Sequence, residues 1–171
     1  MAESQYFRLT MDMYTGGRRA FASFALEEHL ASLDALQREG RWEGPAPRIE
    51  VTQGWLPDWN LISPSSVPLV SRRAADVIAA VARPAVQRIP VTLSGVEGEW
   101  EVLGVRTVDC GEGNPRDIMK AVSPVIDPAR AADGTLFRLP HLVLIARREL
   151  RDAFEAHAIT GAEFKAAATT T

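Results

Sequence analysis

The sequence predicts an α+β fold, a single domain spanning residues 1–171 in which a mixed or antiparallel sheet is covered by helices. Three observations point there. First, two stretches 75 positions apart follow one plan. Leu69-Val70-Ser71-Arg72-Arg73 leads into Ala75, Ile78 and Ala79 and then Ile89; Leu144-Ile145-Ala146-Arg147-Arg148 leads into Leu150, Ala153 and Phe154 and then Phe164. Each is a short apolar run, an Arg-Arg pair opening a helix, an apolar stripe at i, i+3, i+4, a breaker and a strand, so two similar helix–strand units are expected. Second, Tyr6 to Met11 and Glu99 to Leu103 alternate with the period of strands. Third, Leu26, Leu30, Leu33 and Leu36 recur at the period of a helix.

Along the chain, residues 1–53 form an N-terminal strand-helix part. Tyr6 to Met11 is its first strand, stopped by Asp12 and the Gly16-Gly17 break. A helix over Phe24 to Leu36 keeps Glu27, Glu28 and Asp34 on its wet side and ends at Gly40. The stiff Gly44-Pro45-Ala46-Pro47 connector enters a strand over Arg48 to Val51. Gly54 to Pro68 carries Trp55, Pro57, Trp59 and Pro64 and reads as a long ordered loop, because proline removes ladder donors. Ser71 is the expected N-cap of a helix running through Ala82 and terminated by Pro84. Gln87 to Leu93 and Glu99 to Leu103 should form a hairpin across Gly95 to Gly98, with Glu99 and Glu101 in water and Trp100 and Val102 in the core. Gly111 to Pro115 reads as a turn, Pro115 to Ala121 as a short helix, and Pro124 to Gly134 as a second long loop. A strand near Phe137, a helix over Ala146 to His157, a strand over Ala162 to Phe164 and a frayed tail over 166–171 complete the chain.

Composition narrows the function classes. Nineteen Lys plus Arg against 22 Asp plus Glu give a net charge of −3, which argues against a protein built to neutralise nucleic-acid phosphates. Cys110 is the single cysteine, so no intrachain disulfide is available. The first residues lack a basic segment followed by a long apolar one, and the longest apolar run, Leu142 to Ala146, is too short to span a bilayer, so a cytoplasmic protein is expected.

No catalytic, cofactor or metal constellation emerges. Cys110 follows an apolar strand, where an inert buried thiol is the ordinary finding. Ser63, Ser65 and Ser66 lack a nucleophile elbow. His29, His141 and His157 stand far apart, and Gly111-x-Gly113 has no third glycine. The Arg pairs at 72/73 and 147/148 either snorkel over the core or grip an anion at a helix start. Two features suit a protein partner instead. Trp55 and Trp59 sit in a proline-stiffened loop that would hold an aromatic anchor at low entropic cost, although tryptophan more often fills a core. Glu97, Glu99, Glu101, Asp109 and Glu112 stand against Arg106 alone, a stretch that would steer a basic partner if the carboxylates share a surface, and that otherwise guards a sheet edge.

The two units, with Val102-Leu103-Gly104-Val105-Arg106-Thr107-Val108-Asp109-Cys110 between them and Leu136-Phe137-Arg138-Leu139 just before the second, give the chain over 66–167 an order that resembles the bacterial immunity-protein domain first named in myxobacteria, found beside secreted toxins of polymorphic toxin systems. The resemblance implies an immunity protein: a non-enzymatic, cofactor-free inhibitor that binds one cognate toxin stoichiometrically, a nuclease with a phosphate-binding cleft being one such basic partner. No direct contact with nucleic acid or membrane is expected. The expected contact residues are Trp55, Trp59, Glu99, Glu101, Asp109 and Glu112. Two other classes stay open: a small enzyme using Cys110 or a histidine, and a regulatory domain binding an anion through the Arg pairs, each with a pocket between the units.

Overall fold

The computed structural model describes residues 4–14, 17–25, 30–111, 123–131, 134–140 and 142–171. They form an α+β domain around two four-stranded antiparallel sheets. The first is built from β4 (Trp59–Ile62), β5 (Val67–Ser71), β6 (Gln87–Val91) and β7 (Trp100–Gly104), in the order β4-β5-β7-β6. The second takes β1 (Tyr6–Met11) from the N-terminus and β9 (Leu136–Arg138), β10 (Leu144–Arg147) and β11 (Ala162–Ala166) from the C-terminus, in the order β9-β10-β1-β11. In each, the second strand runs straight into a helix: β5 into α2 (Arg72–Val81), and β10 into α4 (Arg148–Ala156).

The two sheets are therefore the same unit used twice, with the fourth strand of the second copy supplied by the chain's beginning. Hydrogen bonds fix the correspondence. Ser71 N–H donates to Asp58 O at 2.9 Å and Arg72 N–H to Glu99 O at 2.9 Å; in the other unit Arg147 N–H donates to Thr135 O at 2.8 Å and Arg148 N–H to Gln5 O at 3.1 Å. Ser71 thus matches Arg147, an offset of 76. The Arg-Arg pairs of the sequence suggest 75, and that expectation is corrected. Arg72 and Arg73 both lie in α2, whereas Arg147 is the extended N-cap of α4 and only Arg148 is helical. One residue matters because a strand alternates faces, and a slip of one exchanges inside for outside. At the true offset Val70 matches Ala146, and both face the core between the helices. Ile89 and Phe164, paired in the sequence plan, point into different cores.

That shared core joins Trp59, Val70 and Leu103 from one sheet to Leu9, Leu136, Leu144 and Ala146 from the other, with Ala74, Ala75, Ile78, Leu150 and Phe154 from α2 and α4. The outer face of the first sheet is closed by α1 (Leu30–Glu39) and by the β2 (Ala22–Phe24) and β3 (Ile49–Val51) pair, through Leu33, Leu36, Trp42 and Ile49. The outer face of the second carries Tyr6, Phe137 and Ile145 against Cys110, Ile126 and Ala131. Both faces of β7 are consequently covered, and all five of its residues are buried.

Several local expectations hold. β1, β3 and the β6–β7 hairpin lie where the sequence predicts them. Ser71 caps α2 by accepting from Ala74 N–H. Gly40, at φ +70°, closes α1, with its N–H bonded to Leu36 O at 3.0 Å. A Cβ on Gly104 would stand 2.0 Å from Gly40 O, so these two glycines let the helix end lie directly on β7.

Others need correction. Phe24 ends β2 and is not helical. The Gly54 to Pro68 loop contains β4 and the start of β5: Pro57 and Pro64 flank Trp59–Ile62, and Pro68 sits within β5. The Pro124 to Gly134 loop holds β8 (Val125–Ile126) and the single turn α3 (Pro128–Ala131). The tail is not frayed, because β12 (Ala168–Thr169) pairs parallel with β8 and Thr170 N–H reaches Ile126 O at 2.9 Å. The expected helix over Pro115 to Ala121 lies outside the described residues.

Candidate functional site

The aromatic and acidic residues expected to meet a partner separate by burial. Trp59 is fully buried in the shared core, edge-on to Phe154 at 5.8 Å between ring centroids, so its expected role at an interface is corrected: the β4 strand turns it inward. Trp55 remains half-buried at the surface, held by Ala20 N–H donating to Trp55 O and Trp55 N–H donating to Arg18 O, both at 2.8 Å.

That pairing sets Trp55 beside the connection from β1 to β2, where sequence reasoning saw nothing. Tyr14 on this connection is 94% exposed, and Met13 and Phe21 are 43% and 48% exposed. The connection is anchored at its base by Arg19, itself only 5% exposed. Its guanidinium donates to Asp12 O, to Trp59 O at 2.6 Å, to Asn60 Oδ1 at 3.1 Å and to Gly161 O at 3.3 Å. Burial lowers the Arg19 pKa, and Asp12 opposes that shift. One side chain so ties the end of β1, β4 and the turn before β11 together, beside three exposed apolar side chains. The signal in the sequence was Met13-Tyr14 beside a glycine turn, which alternation alone cannot place inside or out.

The acidic stretch does not form one surface. Glu99 is exposed and lies 3.7 Å from Arg72. Glu101, expected in water, is 4% exposed, because it lies on the face of β7 that α2 covers. Arg88 meets it with both arms of the guanidinium, Nε donating to Oε2 at 2.6 Å and Nη2 to Oε1 at 2.8 Å, and Nη2 also reaches Asp76 at 2.7 Å. These bonds, those donated to Glu101 foremost, raise the Arg88 pKa against burial, so the cation is fixed. Asp109, beyond the far end of β7, pairs with Arg130 at 3.0 Å. Glu112 lies outside the described residues, as do His29 and His141. Of the six expected contact residues, Trp55, Glu99 and Asp109 thus offer surface, and Trp59 and Glu101 do not.

The Arg pairs are committed elsewhere. Arg73 donates to Asp58, to His157 O at 2.8 Å and to Ala158 O at 3.1 Å, which ties the start of α2 to the end of α4. Asp58 also accepts from Ser71 Oγ at 2.7 Å and from Thr160 N–H and Oγ at 3.1 and 2.9 Å. Burial opposes its charge, but the bonds from Arg73, Ser71 and Thr160 outweigh it and hold the carboxyl below its ordinary value. Arg147 lies over the Tyr6 ring and donates to its hydroxyl at 3.0 Å, and Arg148 donates to Ser4 O at 2.9 Å.

Cys110 is fully buried, and desolvation pushes its thiol up to about 11, so the nucleophilic thiolate is disfavoured at neutral pH. Among the described residues no group of three or more His, Cys, Asp or Glu is placed to hold a metal ion. No helix among them is long and apolar enough to cross a membrane. Compared with known proteins, the chain matches no family model and no curated sequence.

Proposed function

We propose that this chain is an immunity protein, a stoichiometric inhibitor that binds a cognate secreted toxin of a polymorphic toxin system in the cytoplasm. The family resemblance over 66–167 supplies the class, and one observation carries it to a surface: Met13, Tyr14 and Phe21 stand exposed on a connection pinned by Arg19 and flanked by Trp55. Rigid aromatic anchors lose little entropy on binding and dominate interface energetics. Of the expected acidic contacts, Glu99 and Asp109 are exposed and would speed encounter with a basic toxin.

Co-expression of this chain with the C-terminal domain encoded by the neighbouring reading frame tests the reading: growth is restored and the two proteins purify as a complex. Tyr14→Ala should then weaken the complex by about 2 kcal/mol, roughly thirtyfold in Kd, with the fold intact. Reversing Glu99 and Asp109 should slow association and reduce its salt dependence. A toxic neighbour that this chain neither binds nor neutralises overturns the function. A complex indifferent to Tyr14, Phe21 and Trp55 overturns the surface alone.

A further inference from the structure

The outer edges of the two sheets are treated differently. β11 pairs with β1 through Asp12 N–H to Gly161 O and Ala167 N–H to Tyr6 O, both at 2.9 Å, which fixes the hydrogen-bonding parity of the strand. Gly161, Glu163, Lys165 and Ala167 turn their peptide groups toward β1. Ala162, Phe164 and Ala166 turn theirs outward, where no strand among the described residues meets them. In the first sheet, the bond from Arg72 N–H to Glu99 O sets the parity of β7, so β6 turns Arg88 and Pro90 outward. Proline has no N–H, so the β6 edge is blunted at the position that matches Ala166 at the offset of 76. The β11 edge has no proline within it.

We propose that β11 is a self-complementary edge through which two copies of this chain pair antiparallel about Phe164, joining their second sheets into one. Parity and charge both suit a two-fold axis there. Phe164 would exchange bonds with Phe164 of the second copy, and Ala162 with its Ala166, all through peptide groups already turned outward. Between these bonded pairs, Glu163 faces Lys165 of the second copy in the closely spaced, non-hydrogen-bonded position. Within one chain these side chains lie 3.4 Å apart and are 41% and 59% exposed, and Glu163 also accepts from Thr10 Oγ1 at 3.2 Å, so both reach the solvent a facing strand would occupy. A parallel pairing would set Glu163 against Glu163, and the antiparallel register avoids this. The proposal is independent of the inhibitor reading.

Sedimentation velocity over a concentration series tests it on the full chain, with Ala166→Pro, Glu163→Lys and the exchange Glu163→Lys with Lys165→Glu. The wild-type chain should dimerise. Ala166→Pro copies the blunted β6 edge without touching a β1 bond and should weaken the dimer at least tenfold, with an unchanged circular dichroism spectrum. Glu163→Lys should weaken it, and the double exchange should recover most of the loss. If the proline variant fails to fold, the charge series decides alone. A chain that stays monomeric to about 1 mM overturns the proposal. So does a dimer indifferent to all the variants, or a proline variant that loses toxin binding while the wild type is monomeric, which would give the edge to the toxin.

Discussion

At one point of a shared scaffold, the two units place opposite chemistry. Glu101 on β7 and Arg88 on β6 are diagonal neighbours beneath α2; at the matching positions of the second unit, Phe7 on β1 and Phe164 on β11 are diagonal neighbours beneath α4. The first pair is a two-armed ion pair; the second is an edge-to-face aromatic pair with centroids 6.4 Å apart, with Arg151 over Phe7 at 4.6 Å. A second contrast runs the other way. Leu61 on β4 is apolar, and its counterpart on β9 is Arg138, 1% exposed, whose one side-chain bond among the described residues is Nη1 to Ser65 O at 3.3 Å. The backbone plan therefore tolerates either chemistry on the inner faces of the sheets, and what differs is the cost. A buried pair satisfies its own charges, whereas a buried cation without a counter-charge leaves donors unmatched, as Nε and Nη2 of Arg138 are among the described residues.

The largest effect expected is in the aromatic unit. Phe7→Ala should cost about 4 kcal/mol in denaturant unfolding, from lost transfer energy and the cavity left behind. Glu101→Ala should cost about 3 kcal/mol, because it strands Arg88 half-buried without its main partner. Replacing both Arg88 and Glu101 by phenylalanine, the second unit's chemistry in the first, should return stability to within about 1 kcal/mol of the wild type; a double variant as unstable as Glu101→Ala would show that the units are not interchangeable. Arg138→Met should raise stability by about 2 kcal/mol, since burial already pushes the Arg138 pKa down to about 10, and a loss would show that the cation has a partner it needs.

The smallest effect lies at the junction of the units. Asp58 has a lowered folded pKa, so its contribution is present above the unfolded value near 4 and disappears as pH falls through the folded one. Asp58→Asn should cost about 1–2 kcal/mol at neutral pH, and the gap to the wild type should close in acid. A gap constant across that range would mean that Asp58 acts by packing and not by charge.

Much of this architecture was legible in the chain. Alternation placed β1, and the Ser71 cap and Gly40 placed helix ends, because these are decided by neighbours a few residues away. The repeat was legible as well, but its offset was not. Arg147-Arg148 imitates Arg72-Arg73 in letters, while the hydrogen bonds of Arg147 and Arg148 match those of Ser71 and Arg72. Of the candidate surface, Trp55 was found from its loop, and Tyr14 was missed because a lone aromatic near a turn carries no period.

By itself the sequence determined the class of fold, the doubled strand-to-helix unit and most element positions, since period, caps and turn residues act locally. Tertiary structure decided which side of each strand is inside. Glu99 and Glu101 share a face by alternation, yet α2 covers only Glu101; Trp55 and Trp59 share a loop by composition, yet β4 turns only Trp59 into the core. Burial is a property of what packs against a residue, and here that packing comes from elements far away in the chain.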